Sequence, residues 1–147
     1  MAAIRSASTT WDGDLAHGKG QITATTSTAL NSLPVTWASR IEKADGRTSP
    51  EELVAAAHAT CYSMALSHIL GTSKTPPQHL EVEAVVTFAQ AGDGFKVESS
   101  ALTVQGVVPG IDAAAFTQAA EAAKENCPIS LALKGNVELS VKATLKS

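Results

Sequence analysis

Aromatic residues are scarce in this chain: two Trp, one Tyr and three Phe make up 4% of 147 residues, against 44% hydrophobic overall. Large rings cannot fill the interior, so the core must be built from Ala, Val and Leu, which favours close backbone approach. An excess of basic charge is lacking too. Fourteen acidic and eleven basic side chains leave a formal charge of −3, which argues against nucleic acid or an anionic membrane as partner. Met1 to Thr10 holds no apolar run of the kind a secretory leader carries, and a cytoplasmic protein is expected. Cysteine occurs only at positions 61 and 127. In a reducing compartment such a pair is more often catalytic, redox-sensing or inert than a structural disulfide. The length fits one domain, residues 1–147, with a sizeable core.

What is present centres on Thr48 to Leu70, TSPEELVAAAHATCYSMALSHIL. It opens like a helix: Ser49 can cap, Pro50 takes the first helical position, and Glu52 falls where a capping box wants an acid. Apolar residues then fall on every side, which predicts a helix buried nearly all round. It reads as too short and too punctuated by Glu, His and Ser to span a membrane. Cys61 lies within it. One sheet cannot cover such a helix, so either a second copy of the chain completes the cover, as an obligate homodimer, or strands from both chain ends wrap it.

Around this helix the pattern is that of an α+β domain with antiparallel strands. Residues 4–11, 21–28 and 35–42 read as an N-terminal meander that carries Arg40 and, two residues on, Glu42 on the same face. Leu80 to Phe88 alternates cleanly, and Ala91-Gly92-Asp93-Gly94 is a hairpin turn. The apolar phase of the next strand slips, which a bulge near Ser99-Ser100 would explain. Asp112 can cap a helix from Ala113 to about Glu125 with Phe116, Ala119, Ala120 and Ala123 as its buried stripe. Pro128 places Cys127 at that helix's end or just past it. Asn136 to Leu145 reads as a closing strand. Gly18-Lys19-Gly20 lacks the remaining residues of a phosphate-binding loop.

A buried cysteine is ordinarily a small hydrophobe. A reactive one must be held as thiolate by a helix N-terminus or a nearby cation. Cys61 falls in the third or fourth turn of its helix, where the dipole has faded, so a cation is required. Arg40 is the best candidate because it stays charged and can fork between a thiolate and a carboxylate. His58 and His68 share the Cys61 face at helical spacing and, with the thiolate, would suit zinc. A fourth ligand is not in view, and hydrogen-bonded core histidines are the ordinary alternative.

Trp11-Asp12-Gly13, Pro50-Glu51-Glu52-Leu53 with the Ala-rich run into Cys61, Val108-Pro109-Gly110-Ile111-Asp112 and Asn126-Cys127-Pro128 together resemble the osmotically inducible protein C and organic hydroperoxide resistance (OsmC/Ohr) family of thiol peroxidases. The resemblance covers essentially the whole chain and favours the OsmC branch, because the arginine stands late in the meander. It implies an intertwined homodimer, with antiparallel sheets wrapped around buried central cysteine helices and active sites at the interface. It further implies that Cys61 attacks an organic hydroperoxide and becomes a sulfenic acid, that Cys127 condenses with it to a disulfide, and that a dithiol reductant, typically lipoyl-type, restores the pair. Arg40 and Glu51 map to the residues that position the thiolate. No metal, flavin or haem is called for. The alternative is a non-enzymatic stress-response or apolar-ligand-binding module with packed cysteines.

Overall fold

The computed structural model describes residues 1–147. Six strands and four helices follow in the order β1 (Ser8–Asp12), β2 (Lys19–Thr23), β3 (Leu33–Val35), α1 (Trp37–Ile41), α2 (Pro50–Thr72), β4 (His79–Ala91), β5 (Gly94–Val107), α3 (Ala113–Asn126), α4 (Pro128–Leu133) and β6 (Glu138–Lys146). They form two compact units, Met1–Leu53 and Val54–Ser147.

In the first unit an antiparallel sheet runs β1-β2-β3, with the polar β1 exposed throughout its length at the edge. The strand expected over residues 35–42 is not formed. β3 stops at Val35, and Thr36 caps a five-residue helix instead. The local chemistry explains this: Thr36 Oγ1 accepts from the Ser39 N–H at 3.0 Å and Ser39 Oγ accepts from the Thr36 N–H at 3.0 Å. This reciprocal capping satisfies two otherwise orphaned donors. Arg40 therefore sits on a helix, and the shared strand face with Glu42 does not exist.

The start of α2 is as expected at Ser49, whose Oγ accepts from the Glu52 N–H at 3.1 Å. The Glu52 carboxylate does not close the box; it accepts from Thr48 Oγ1 at 3.0 Å. The helix runs 23 residues and is long and apolar enough, by length and composition, to cross a membrane. The reading that it is too short does not hold. Its burial is one-sided: Glu51, His58, Tyr62, Leu66 and Leu70 are buried at helical spacing, while Ala56, Ala57, Thr60, Met64, Ser67 and His68 are exposed. The all-round burial read from composition is thus not met within one chain.

In the second unit the sheet order is β4-β5-β6. β4 and β5 form the expected hairpin through Gly92 and Asp93, and the register slips between Thr87 and Phe88, leaving Glu98 of β5 as the extra residue. β6 pairs with β5 in parallel, which corrects the all-antiparallel expectation. Alternation reports which side chains face in, never which way the strand runs, and α3 and α4 supply the long crossover that a parallel pair needs. The fold is α+β with a mixed sheet. Its inner face carries Leu102 and Val104 into a core with Tyr62, Leu66 and Leu70 of α2 and Phe116, Ala120 and Ala123 of α3. Gly106 lets α3 lie close: a Cβ there would stand 2.6 Å from Phe116 Cζ. The outer face sets Glu83 of β4 level with Thr103 and Lys142, as a solvated sheet face should.

Candidate functional site

In the first unit the structure brings Arg40 and Glu51 together. Arg40 Nε donates to both carboxylate oxygens of Glu51 at 3.1 Å, and Nη2 donates to Oε1 at 2.7 Å. This forked pairing fixes orientation as well as charge. The two side chains are 28% and 9% exposed, so the pair is largely shielded from water. Each partner is held locally. Ser39 Oγ donates to the Thr48 carbonyl at 3.1 Å, tying α1 to the segment that enters α2. Glu51 lies in the first turn of α2, where the helix dipole favours a carboxylate. The Arg40 guanidinium also lies 5.8 Å from the centre of the Trp37 ring, within cation–π range. Beside the pair is an apolar cavity of about 420 Å³ walled by Trp11, Leu15, Ile22, Val35, Trp37 and Leu53, with Arg40 as its one charged lining residue.

In the second unit both cysteines are free thiols and belong to one core, Cys127 within it and Cys61 packed against it. Cys61 is half-buried on α2. Cys127 is fully buried at the junction where α3 ends and α4 begins. Its N–H donates to the Ala123 carbonyl at 2.8 Å and its own carbonyl accepts from the Leu131 N–H at 2.9 Å. Pro128 forces this break: Cys127 takes extended backbone angles, φ −63° and ψ 123°, as a residue before proline does. Burial pushes the Cys61 thiol above its ordinary pKa, the Ile129 backbone pulls it part of the way down, and the neighbouring Cys127 pushes it up further. None of these influences is a cation. Within its own unit Cys61 is held as a thiol.

His58 takes the ordinary alternative, a hydrogen-bonded core histidine, with partners that the sequence does not name. Its Nδ1 is 2.7 Å from Ser100 Oγ of β5 and its Nε2 is 2.8 Å from Ser130 Oγ of α4. Both ring nitrogens are thus occupied, which removes His58 from any zinc site with Cys61 and His68. Desolvation pulls its pKa below the ordinary value, so the ring is neutral near pH 7. One nitrogen then donates to a serine and the other accepts from one. α4 itself was missed, although Pro128 at its first position is a helix-start signal. One turn past His58, Tyr62 is fully buried, and its hydroxyl donates to the Ala120 carbonyl at 2.9 Å. Burial and the nearby Glu121 drive that phenol well above its ordinary pKa.

Comparison with known proteins agrees with the fold. Residues 43–142 match the family described as OsmC-like protein. The chain is 41% identical over 129 residues to "Peroxiredoxin OsmC" of Escherichia coli, covering 88% of this chain and 89% of that one. It is 31% identical over 99 residues to "Organic hydroperoxide resistance protein-like 2" of Staphylococcus epidermidis, covering 66% and 68%. Its structure superposes on the organic hydroperoxide resistance protein OhrB of Bacillus subtilis with a TM-score of 0.75 at 28% identity, over 95% of this chain and 98% of that one. On this evidence the chain belongs to the OsmC/Ohr family, with greatest similarity to its OsmC branch.

Proposed function

We propose that this chain is a two-cysteine peroxidase that reduces organic hydroperoxides to alcohols. The observation that carries the reading is that Cys61 and Cys127, two free thiols from elements far apart in sequence, share one core. The Cys61 thiolate attacks one peroxide oxygen; an S–O bond forms, the O–O bond breaks, and the leaving alkoxide takes a proton to become the alcohol. Cys61 is left as sulfenic acid. The Cys127 sulfur then attacks it, an S–S bond forms and water leaves. A dithiol of the lipoyl type returns two electrons by thiol–disulfide exchange. The sulfur chemistry uses no metal or organic cofactor, and the reducing cytoplasm suits the recycling step.

Arg40, set by Glu51, is the cation that the first step needs. Helix α2 is continuous, and the ten residues from Glu51 to Cys61 span about 15 Å of rise, beyond the reach of a carboxylate. The Glu51 and Arg40 that serve a given Cys61 therefore come from a second copy of the chain. The exposed Ala, Thr and Met side of α2 is where such a copy would supply cover, in a homodimer with shared sites. The names of the relatives support the reaction class, and the apolar cavity beside Arg40 suits an oily substrate tail over hydrogen peroxide. Peroxide consumption coupled to a lipoyl dithiol tests the reading. Cumene hydroperoxide should be turned over with much higher kcat/KM than hydrogen peroxide, Cys61→Ser should abolish turnover, and equal kcat/KM for both peroxides would count against the assigned preference. No turnover with either peroxide would leave an apolar-ligand-binding module.

A further inference from the structure

One buried polar cluster has no part in the reaction above. His58, Ser100 and Ser130 are 0%, 0% and 1% exposed, and they come from α2, β5 and α4. Burying three polar side chains is costly unless all are bonded, and here they are, at 2.7 and 2.8 Å through opposite ring nitrogens. The position of the cluster gives it a use. His58 is three residues before Cys61, so the two share one face of α2 a turn apart. Ser130 is the third residue of α4, and Cys127 is that helix's N-cap. α4 has six residues, too few to be stable as an isolated helix, so its place is set by what its first turn holds.

We infer that His58 is a positioning residue: through Ser130 it pins the first turn of α4, and Cys127 with it, against the Cys61 turn of α2, while Ser100 fixes the ring to the sheet. The influence of the Ile129 backbone on Cys61 fits, because Ile129 lies between Pro128 and Ser130 in the same turn. The use of this pin in resolving a sulfenic acid rests on the peroxidase reading. The pin itself is a property of the dithiol pair and can be tested without any hydroperoxide.

The test equilibrates the full-length protein with reduced and oxidised dithiothreitol and reads the Cys61–Cys127 disulfide by mass spectrometry after acid quench. The two protein thiols give up two electrons and two protons to oxidised dithiothreitol, which becomes the dithiol. A glutamine amide at position 58 reaches toward the place of Nε2 and can keep the Ser130 bond. An asparagine amide lies near the place of Nδ1 and can keep only the Ser100 bond. His58→Asn and Ser130→Ala should each lower the disulfide equilibrium constant on the order of tenfold, about 30 mV for two electrons. His58→Gln should stay within threefold of wild type. Ser130→Ala removes a single oxygen, so the test does not depend on the histidine variants folding. The inference is overturned if Ser130→Ala matches wild type, if His58→Gln falls as far as His58→Asn, or if the wild-type pair forms no bridge. The expected pattern in a protein that leaves hydroperoxide untouched would sink the peroxidase reading and keep the pin.

Discussion

Gly106→Ala tests how closely α3, and so Cys127 at its end, depends on a missing side chain. The added Cβ would stand 2.6 Å from Phe116 Cζ, 2.8 Å from Cε2 and 3.1 Å from Leu80 Cδ2. Carbon atoms settle at about 3.5–4.0 Å, so the Phe116 ring must retreat by roughly 1 Å. It has nowhere to go as a side chain, being fully buried in the core, so the strain passes to α3 or to the sheet. Overpacking of this kind costs about 1–3 kcal/mol. For a chain of this size each kcal/mol lowers Tm by roughly 2–4 °C, so thermal unfolding should show a drop of several degrees. The double variant Gly106→Ala, Phe116→Leu should recover part of the loss, since residues in contact couple non-additively. A single variant that melts within a degree of wild type would refute the close seating of α3 on β5.

Further outcomes concern single side chains. Tyr62→Phe removes the buried bond to the Ala120 carbonyl and should cost about 1 kcal/mol in urea unfolding; an unchanged midpoint would show that bond to be without effect. Arg40→Gln leaves Glu51, the more buried partner, as an uncompensated charge, and should destabilise by about 1–3 kcal/mol. Glu51→Gln, which leaves the more exposed Arg40, should cost less than about 1 kcal/mol, and the reverse order would contradict the burial seen here. In the peroxidase assay Arg40→Gln should lower kcat/KM on the order of 100-fold, as loss of a preorganised charge does. His58 is held neutral with its pKa depressed, so the unfolded chain binds more protons as the pH falls below about 6.5, the ordinary histidine value. Its contribution is therefore fully present above that pH and declines as pH falls toward the folded pKa, by up to about 1.4 kcal/mol per pH unit. His58→Gln should flatten that limb of the stability profile, and a profile identical to wild type would show that another group sets it.

Much of the fold is legible in the sequence wherever one face of an element is buried. The alternation from Leu80 to Phe88 and the stripe of Phe116, Ala119, Ala120 and Ala123 gave β4 and α3 their place, because burial on one side writes its period into the chain. Ser49 and Pro50 marked the start of α2 through local capping alone. The failures have physical causes. Val35, Trp37 and Ile41 alternate like a strand, yet a Thr36–Ser39 capping pair settles α1. The direction of β6 leaves no trace in its own residues. The breadth of apolar residues on α2 predicted burial on all sides, and one chain covers only the line through His58, Tyr62, Leu66 and Leu70. Of the candidate site, Cys61, Cys127, Arg40 and Glu51 were named from motif and charge. The His58 pin was not, because its serine partners lie 42 and 72 residues away and serine carries no signal of its own.

In the proposed reaction Cys61 and Cys127 act as one redox pair on a peroxide. The most direct measurement adds one equivalent of cumene hydroperoxide to the reduced protein and maps the sulfurs by mass spectrometry, beside Cys61→Ser and Cys127→Ser. The expected result is a Cys61–Cys127 disulfide within one wild-type chain, sulfenic acid trapped at Cys61 in the Cys127 variant, and no oxidation of Cys127 in the Cys61 variant. Two untouched thiols in the wild-type protein would contradict it.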